Sequence, residues 1–303
     1  MTKISNTSTA VNATIDTFAL TNTEIIIWSA FVLFLDFLII VVNLATIVTF
    51  VINKHLRRRS VYCLINLAVA DMLFGVCSIT HDVIYSLFDE FARVGYYLLL
   101  ILIFSSLFSL VLVSLDRVYA TFFPFQHRTT RLRMYIGVFT ITWLLPSPFV
   151  LIHYYEDQDD ILITTIVLLI SLLIICASYS AIFIKVKIQA KRHQPNRQQT
   201  AAIQIRQKRE QHLAMTLFIV CVLSLITWLP YLSILIRISL FGYDHDSLYR
   251  IFKTTTLIQN LNSLINPIIY VFRMRDFRKA LSRLIISCSR DHQHLIGRHG
   301  NRD

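Results

Sequence analysis

The sequence predicts an all-α membrane protein: a bundle of seven transmembrane helices and a short amphipathic eighth helix, with the N-terminus outside. Three observations carry that prediction. The 303 residues are 55% hydrophobic and only 16% charged, against about 25% charged in an ordinary soluble domain. Only six Gly and six Pro punctuate them, and the mean hydropathy is +0.59. The apolar residues gather into seven runs, at 25–52, 60–80, 95–115, 134–152, 161–184, 213–236 and 254–272. So much apolar surface exceeds what one water-soluble core can hide, which excludes a soluble enzyme and a disordered or loop-rich secreted chain. Cys63, Cys77, Cys176, Cys221 and Cys288 show no metal-ligand spacing and no disulfide framework.

Each run is long enough to be a spanning helix, since about 20 residues rising 1.5 Å each cross a hydrocarbon core. Backbone groups in lipid must pair within their own segment, so the abundant Ile and Val do not turn the runs into strands. Asp36 interrupts the first run and Asp71 the second. In the fifth connection, Pro195-Asn196 and a Gln-rich middle separate two helical extensions, 185–192 and 200–212. After the seventh run, Phe272 to Leu281 places apolar and basic residues on opposite faces, the pattern of a helix lying in the membrane interface.

Charge sets the orientation. The first, third and fifth connections and the C-terminal tail hold 23 of the 29 Lys and Arg, among them Lys54, Arg57, Arg128, Arg131, Arg133 and Lys185. The opposite side carries Glu24, Asp89, Glu90, Glu156, Asp157 and Asp244. The positive-inside rule puts the basic side in the cytoplasm. The net charge of +11 is therefore a topology signal and a match to anionic membrane lipid, and no nucleic-acid partner is expected. The organisation expected is a tail at 1–24, a spanning domain at 25–272, an interfacial helix at 273–287 and a short tail at 288–303. The first 24 residues have no apolar core for a cleavable signal. Asn6 and Asn12 open glycosylation sequons there. Cys288 follows the interfacial helix and reads equally as an acylation (palmitoylation) site or a plain free thiol.

Polar residues inside the runs are costly and need partners. Asp71, Asn43, Ser106, Asn262, Ser263 and Asn266 fall at similar depth. They suit either a small hard cation with water or a purely structural hydrogen-bond cluster. At the cytoplasmic edge Asp116-Arg117 is a charged pair that Glu210 could approach from the sixth run. It reads as a breakable lock or as a snorkelling arginine beside a helix-end charge. Pro230, in Thr227-Trp228-Leu229-Pro230-Tyr231, and Pro267, in Asn266-Pro267-Ile268-Ile269-Tyr270, each remove a helical hydrogen bond and create hinges. No nucleophile–base constellation, His-Glu-x-x-His helix or broken inverted repeat is present, so neither an enzyme nor a transporter is expected.

Asn43, the run Asn66 to Asp71, Asp116-Arg117-Val118, Trp143, Trp228-Leu229-Pro230 and Asn266 to Tyr270 fall one motif per helix. In that order they resemble the rhodopsin-like (class A) G-protein-coupled receptors over 25–286. The resemblance implies a plasma-membrane receptor that couples an extracellular ligand to a heterotrimeric G protein. Asp71, Ser106, Asn262 and Asn266 would hold an allosteric sodium ion, with no other cofactor. Trp228 would sense the ligand, Tyr179 and Tyr270 would close around Arg117 on activation, and Arg117 and Phe125 would contact the G protein.

The ligand pocket implied is lined by His81, Asp82, Tyr96, Leu99, Ile103, Tyr231, Leu235, Phe252 and Thr256, with Lys253 at the rim. Ala92 stands where the family has its helix-three disulfide cysteine, and Ser171 replaces the helix-five proline. Both features, with a short second outer loop, resemble the melanocortin, cannabinoid and lysophospholipid receptors; the seventh run resembles adenosine receptors. Leu99 occupies the position of the amine-binding aspartate and Asn260 that of the opsin lysine. A melanocortin-like peptide, a small lipid or a nucleoside remain as ligand classes. The alternative is a receptor-shaped membrane partner that signals little and acts by dimer formation.

Ser224 takes the place of the phenylalanine one turn below Trp228, which weakens packing at the helix-six hinge. Ligand-free signalling is therefore expected to differ in Ser224→Phe. Equal basal G-protein activation in the two proteins, at equal surface display, would count against that reading.

Overall fold

The computed structural model describes residues 22–57, 59–87, 89–155, 160–192, 201–242 and 245–299. All the regular structure among them is helical. The elements are α1 (Asn22–Ile52), a 3-10 turn (Lys54–Leu56), α2 (Arg59–Leu87), α3 (Asp89–Phe122), α4 (Pro124–Thr129), α5 (Leu132–Leu144), α6 (Pro146–Tyr155), α7 (Asp160–Arg192), α8 (Ala201–Phe241), α9 (His245–Arg273) and α10 (Arg275–His299). The seven apolar runs each sit inside a helix or, for the fourth run, inside the pair α5 and α6. That pair is divided at Leu145, because Pro146 has no N–H to carry the ladder on.

Packing closes the helices into a ring. α1 packs on α2, α2 on α3, α3 on α7, α7 on α8, α8 on α9, and α9 returns to α1. α3 also meets α5, α6 and α8, so it runs through the middle of the bundle. The helices are inside-out relative to a water-soluble protein. On α7, Leu162, Ile166, Ile170 and Leu173 are exposed at helical spacing, while Leu168, Ser171, Leu172, Ile175 and Ser178 face inward. An apolar face of that size exposed along every helix is a lipid-facing surface.

Among the described residues, six helical stretches are apolar and long enough to cross a membrane. The exception is the seventh, α9, and the reason is chemical: Gln259, Asn260, Asn262, Ser263 and Asn266 are all buried in it. α9 gives up lipid-like composition in order to bring polar atoms to the centre.

Asn66 ties three helices together. Its Nδ2 donates to Ser109 Oγ of α3 at 2.8 Å, and its Oδ1 accepts from Trp143 Nε1 of α5 at 3.0 Å. The terminal helix α10 begins at Arg275, two residues later than the sequence suggests, and continues to His299. Its Phe277, Ala280, Leu281 and Leu284 point inward and Arg278, Lys279 and Arg283 outward. Phe277 stacks on Phe50 of α1 at 4.8 Å between ring centroids, which fixes the helix against the bundle.

Trp143→Phe keeps the ring and removes the N–H that Asn66 accepts. It is expected to cost about 1 kcal/mol, or about 2–4 °C in melting temperature. Thermal unfolding of the purified protein in nanodiscs tests this, and an unchanged midpoint would remove the bond from the account of how the fourth span is held.

Candidate functional site

The centre of the bundle is organised by one carboxylate. Asp71 on α2 is fully buried, where a short acidic side chain cannot reach water. Its Oδ1 accepts from Ser106 Oγ of α3 at 2.5 Å and from Ser263 Oγ of α9 at 2.8 Å; its Oδ2 accepts from Asn266 Nδ2 at 3.1 Å. Asn43 of α1 joins through its Nδ2, which donates to the Ser263 carbonyl at 3.0 Å. Asn262 is buried but is not among the hydrogen-bond partners of Asp71; Ser263 fills that role instead. α9 carries Pro267 inside it, and which of two adjacent residues faces α2 depends on how the helix is rotated there. The donor set fits a small cation. It offers one carboxylate and two hydroxyls, and the buried Oδ1 atoms of Asn262 and Asn266 accept no hydrogen bond. Oxygen-only ligands of this kind suit a hard ion.

At the end of the bundle marked by the basic residues, Asp116 and Arg117 are both buried and lie 3.3 Å apart. Three further groups gather at this lock, none of which sequence reasoning assigned to it. Pro124 starts α4 at its first turn, a position suited to a residue without an N–H. The single turn that follows carries His127 back to α3, where its Nε2 lies 2.9 Å from Asp116 Oδ1. Tyr135 of α5 donates its hydroxyl to the same Oδ1 at 2.9 Å and lies 3.2 Å from His127 Nε2. The signal available in the sequence was a Pro-initiated turn with His at its fourth position, just after the charged pair. Lys185 of α7 is the third, donating to the Thr121 carbonyl at 2.6 Å and sitting over the Phe122 ring at 4.3 Å.

Beside this lock, Phe125 on α4 is 82% exposed, an extreme value for a phenylalanine outside the lipid-facing runs. The side chain of Glu210 lies outside the described residues. Tyr179 packs on Phe218 of α8 at 6.0 Å, and the Tyr270 ring sits edge-on to Phe50 and Phe277. α8 stays continuous through Pro230. Trp228, two residues before it, is buried, its indole N–H without an acceptor, and meets Tyr231 edge-on at 6.2 Å. Ser224 is fully buried beneath it.

Toward the other end, Tyr231 continues to Phe252 of α9 at 5.9 Å. Ile103, Tyr231, Leu235 and Phe252 belong to one apolar cluster, and Leu99 and Ile103 border a second. His81 Nδ1 lies 3.5 Å from Asp82. Gly95 is what lets His81 approach α3, since a Cβ there would fall 2.8 Å from the imidazole ring. Thr256 returns its hydroxyl to the Phe252 carbonyl, and Tyr96 is exposed. At the rim, Arg250 of α9 pairs with Glu24 of α1 at 3.3 Å, a link between chain ends that the sequence did not reveal. Asn6 and Asn12 fall outside the described residues, as does the Cys288 side chain.

A family model described as the 7 transmembrane receptor (rhodopsin family) matches residues 42–161 and 155–270. The chain is 26% identical over 260 residues to trace amine-associated receptor 5 of Rattus norvegicus, covering 77% of each protein. It is 26% identical over 309 residues to the histamine H2 receptor of Homo sapiens, covering 91% of this chain and 84% of that receptor. A shorter stretch of 76 residues is 37% identical to cannabinoid receptor type 1B of Takifugu rubripes, covering 25% of this chain and 16% of that receptor.

His127 and Tyr135 hold Asp116 in its pairing with Arg117, and each hydrogen bond to a charged group is worth about 1.5–3 kcal/mol. His127→Phe and Tyr135→Phe should each shift the closed-to-open ratio toward open by about tenfold or more. The check is ligand-free G-protein activation at matched surface expression, with higher signal expected in both variants.

Proposed function

The chain belongs to the rhodopsin family of seven-transmembrane receptors, a family of receptors and not of enzymes, and we propose that it couples an extracellular ligand to a heterotrimeric G protein across the plasma membrane. The observation that carries the proposal is the lock at the basic end. The Asp116–Arg117 pair is buried and held from a neighbouring loop helix by His127 and from α5 by Tyr135, while Phe125 stands exposed next to it. A stabilised closed arrangement beside an exposed aromatic is what a switch needs when its partner binds only the open form.

Ligand binding acts on Trp228 and Tyr231, and α8 bends about Pro230 so that its basic half moves away from α3. Arg117 then leaves Asp116 and, with Phe125, receives the G protein. Asp71 and its partners hold a sodium ion in the closed state; the ion supplies positive charge that the carboxylate otherwise lacks, while Ser106 and Ser263 orient it. Asn6 and Asn12 carry glycans on the outer tail and Cys288 is acylated.

The ligand is a small lipid, a nucleoside or a short melanocortin-like peptide. Relatives of this chain carry trace-amine and histamine names, but Leu99 stands in this chain at the position of the amine-binding aspartate. The surrounding side chains, Ile103, Tyr231, Leu235 and Phe252, are apolar or aromatic and partly or fully buried, the usual lining of a small-molecule pocket with few polar contacts.

Ligand-free G-protein activation in cells showing wild type or Arg117→Ala at the surface tests the coupling. The wild-type signal is expected to fall by at least about tenfold in the variant, as one charge-assisted contact to the G protein is lost. A wild-type signal that Arg117→Ala leaves intact overturns the assigned role. Silence in both, followed by silence against a lipid, nucleoside and peptide panel, favours a partner that does not signal.

A further inference from the structure

We propose a second monovalent-cation site between α1 and α2, anchored by Asp36 and separate from the Asp71 cluster. Asp36 lies near the middle of α1 and is fully buried, and neither of its carboxylate oxygens accepts a hydrogen bond. Its polar neighbours are on α2, the Ser78 hydroxyl and, one turn further toward the loop, the carboxylate of Asp82. Asp82 is the half-exposed member, its side chain 43% accessible, so the acidic groups run from the mouth of the bundle down to Asp36.

The surroundings explain why Asp36 cannot escape. Leu35 and Ile39 on either side of it pack with Phe74 of α2, and Leu257, Leu261 and Leu264 of α9 close on that cluster. α1 and α2 are at close approach here: a Cβ on Gly75 would fall 3.1 Å from the Asp36 carbonyl oxygen and 3.0 Å from Ile40. A short carboxylate pinned at such a crossing is held out of bulk water.

The contrast with Asp71 identifies what is missing. Asp71 has three hydrogen-bond donors from two helices. Around Asp36 the buried oxygens are the two of its own carboxylate and the Ser78 hydroxyl, which can turn a lone pair inward. A buried charge without a partner is among the costliest arrangements a protein can hold. The ligands are all oxygen, which selects a hard ion, and a single fully buried carboxylate matches a single positive charge. Among the described residues no three His, Cys, Asp or Glu side chains come together as a multivalent metal would need. Sodium entering past Asp82 and resting against Asp36 and Ser78 satisfies all of these conditions.

The test is thermal melting of the purified receptor in nanodiscs, with sodium chloride replaced stepwise by choline chloride at constant ionic strength. Asp71→Asn removes the first site. It should retain a sodium-dependent rise of about 3 °C per tenfold in sodium above the binding midpoint. Asp71→Asn combined with Asp36→Asn should lose that rise, and in choline Asp36→Asn should melt at or above the wild type because a buried unpaired charge is gone. Ser78→Ala in the Asp71→Asn background keeps the carboxylate and should raise the sodium midpoint about fivefold, which decides the matter if the Asp36 variants do not fold. Sodium-independent melting of Asp71→Asn, or a response that Asp36→Asn and Ser78→Ala leave unaltered, overturns the site and assigns Asp36 a neutral, proton-bearing carboxyl instead.

Discussion

The hydrogen bonds that converge on Asp71 decide how the helices can be arranged. A carboxylate on α2 at full burial draws Ser106 from α3 and Ser263 and Asn266 from α9. Asn43 then brings α1 onto the Ser263 carbonyl. Between apolar helices in lipid there is little hydrophobic drive to associate, so polar contacts of this kind and close packing select the neighbours. The ring order, with α9 returning to α1, follows from where these few polar atoms sit. The same atoms account for α9 being the least apolar of the spans. Its lipid solubility is lowered by residues that its neighbours need, and it is held in place by the bonds those residues make.

α3 links this centre to the basic end. Ser106, Ser109 and Asp116 are all buried and fall close to one face of the helix at spacings of three to ten residues. Ser106 binds Asp71, and Ser109 accepts from Asn66 while donating to the Ser105 carbonyl. Asp116 receives His127 and Tyr135. From Ser106 to Asp116 is about 15 Å along the axis. A rotation or slide of α3 that lengthens the bond to Asp71 therefore also displaces the acceptor on which the lock is built. The helix is contacted along its length by six others, so the movement open to it is rigid and small rather than a local bend.

Much of this was legible in the sequence, for identifiable reasons. Span length and charge asymmetry are one-dimensional signals, and a helix crossing lipid has no other way to pair its backbone. Depth along a helix is also one-dimensional, which is why Asp71, Ser106 and Asn266 could be grouped before any coordinates. Rotation about the axis is not readable in that way next to a proline, and there Ser263 rather than Asn262 turned out to be the partner. His127 and Tyr135 were missed because one sits on a six-residue helix with no hydropathy signature and the other on a span whose rotation toward Asp116 hydropathy does not give. Arg250 and Glu24 meet although 226 residues separate them, and only closure of the ring brings them together.

The two buried aspartates make the role of context plain. Asp36 and Asp71 carry the same side chain at full burial in adjacent helices of one bundle, yet only Asp71 is provided with donors by the fold. A hydrophobic neighbourhood alone does not determine whether a membrane carboxylate is structural; what matters is whether facing helices present hydroxyls and amides at its depth. α3 and α9 do so for Asp71. Around Asp36, Leu35, Ile39 and Phe74 with the leucines of α9 leave the Ser78 hydroxyl as the one hydroxyl beside it among the described residues. A fold held together by polar contacts would not be expected to keep an acid there for packing, since leucine fills such a space without desolvating a charge. An acid kept in that setting needs a counter-charge from outside the chain, and the half-exposed Asp82 marks the side from which it would come.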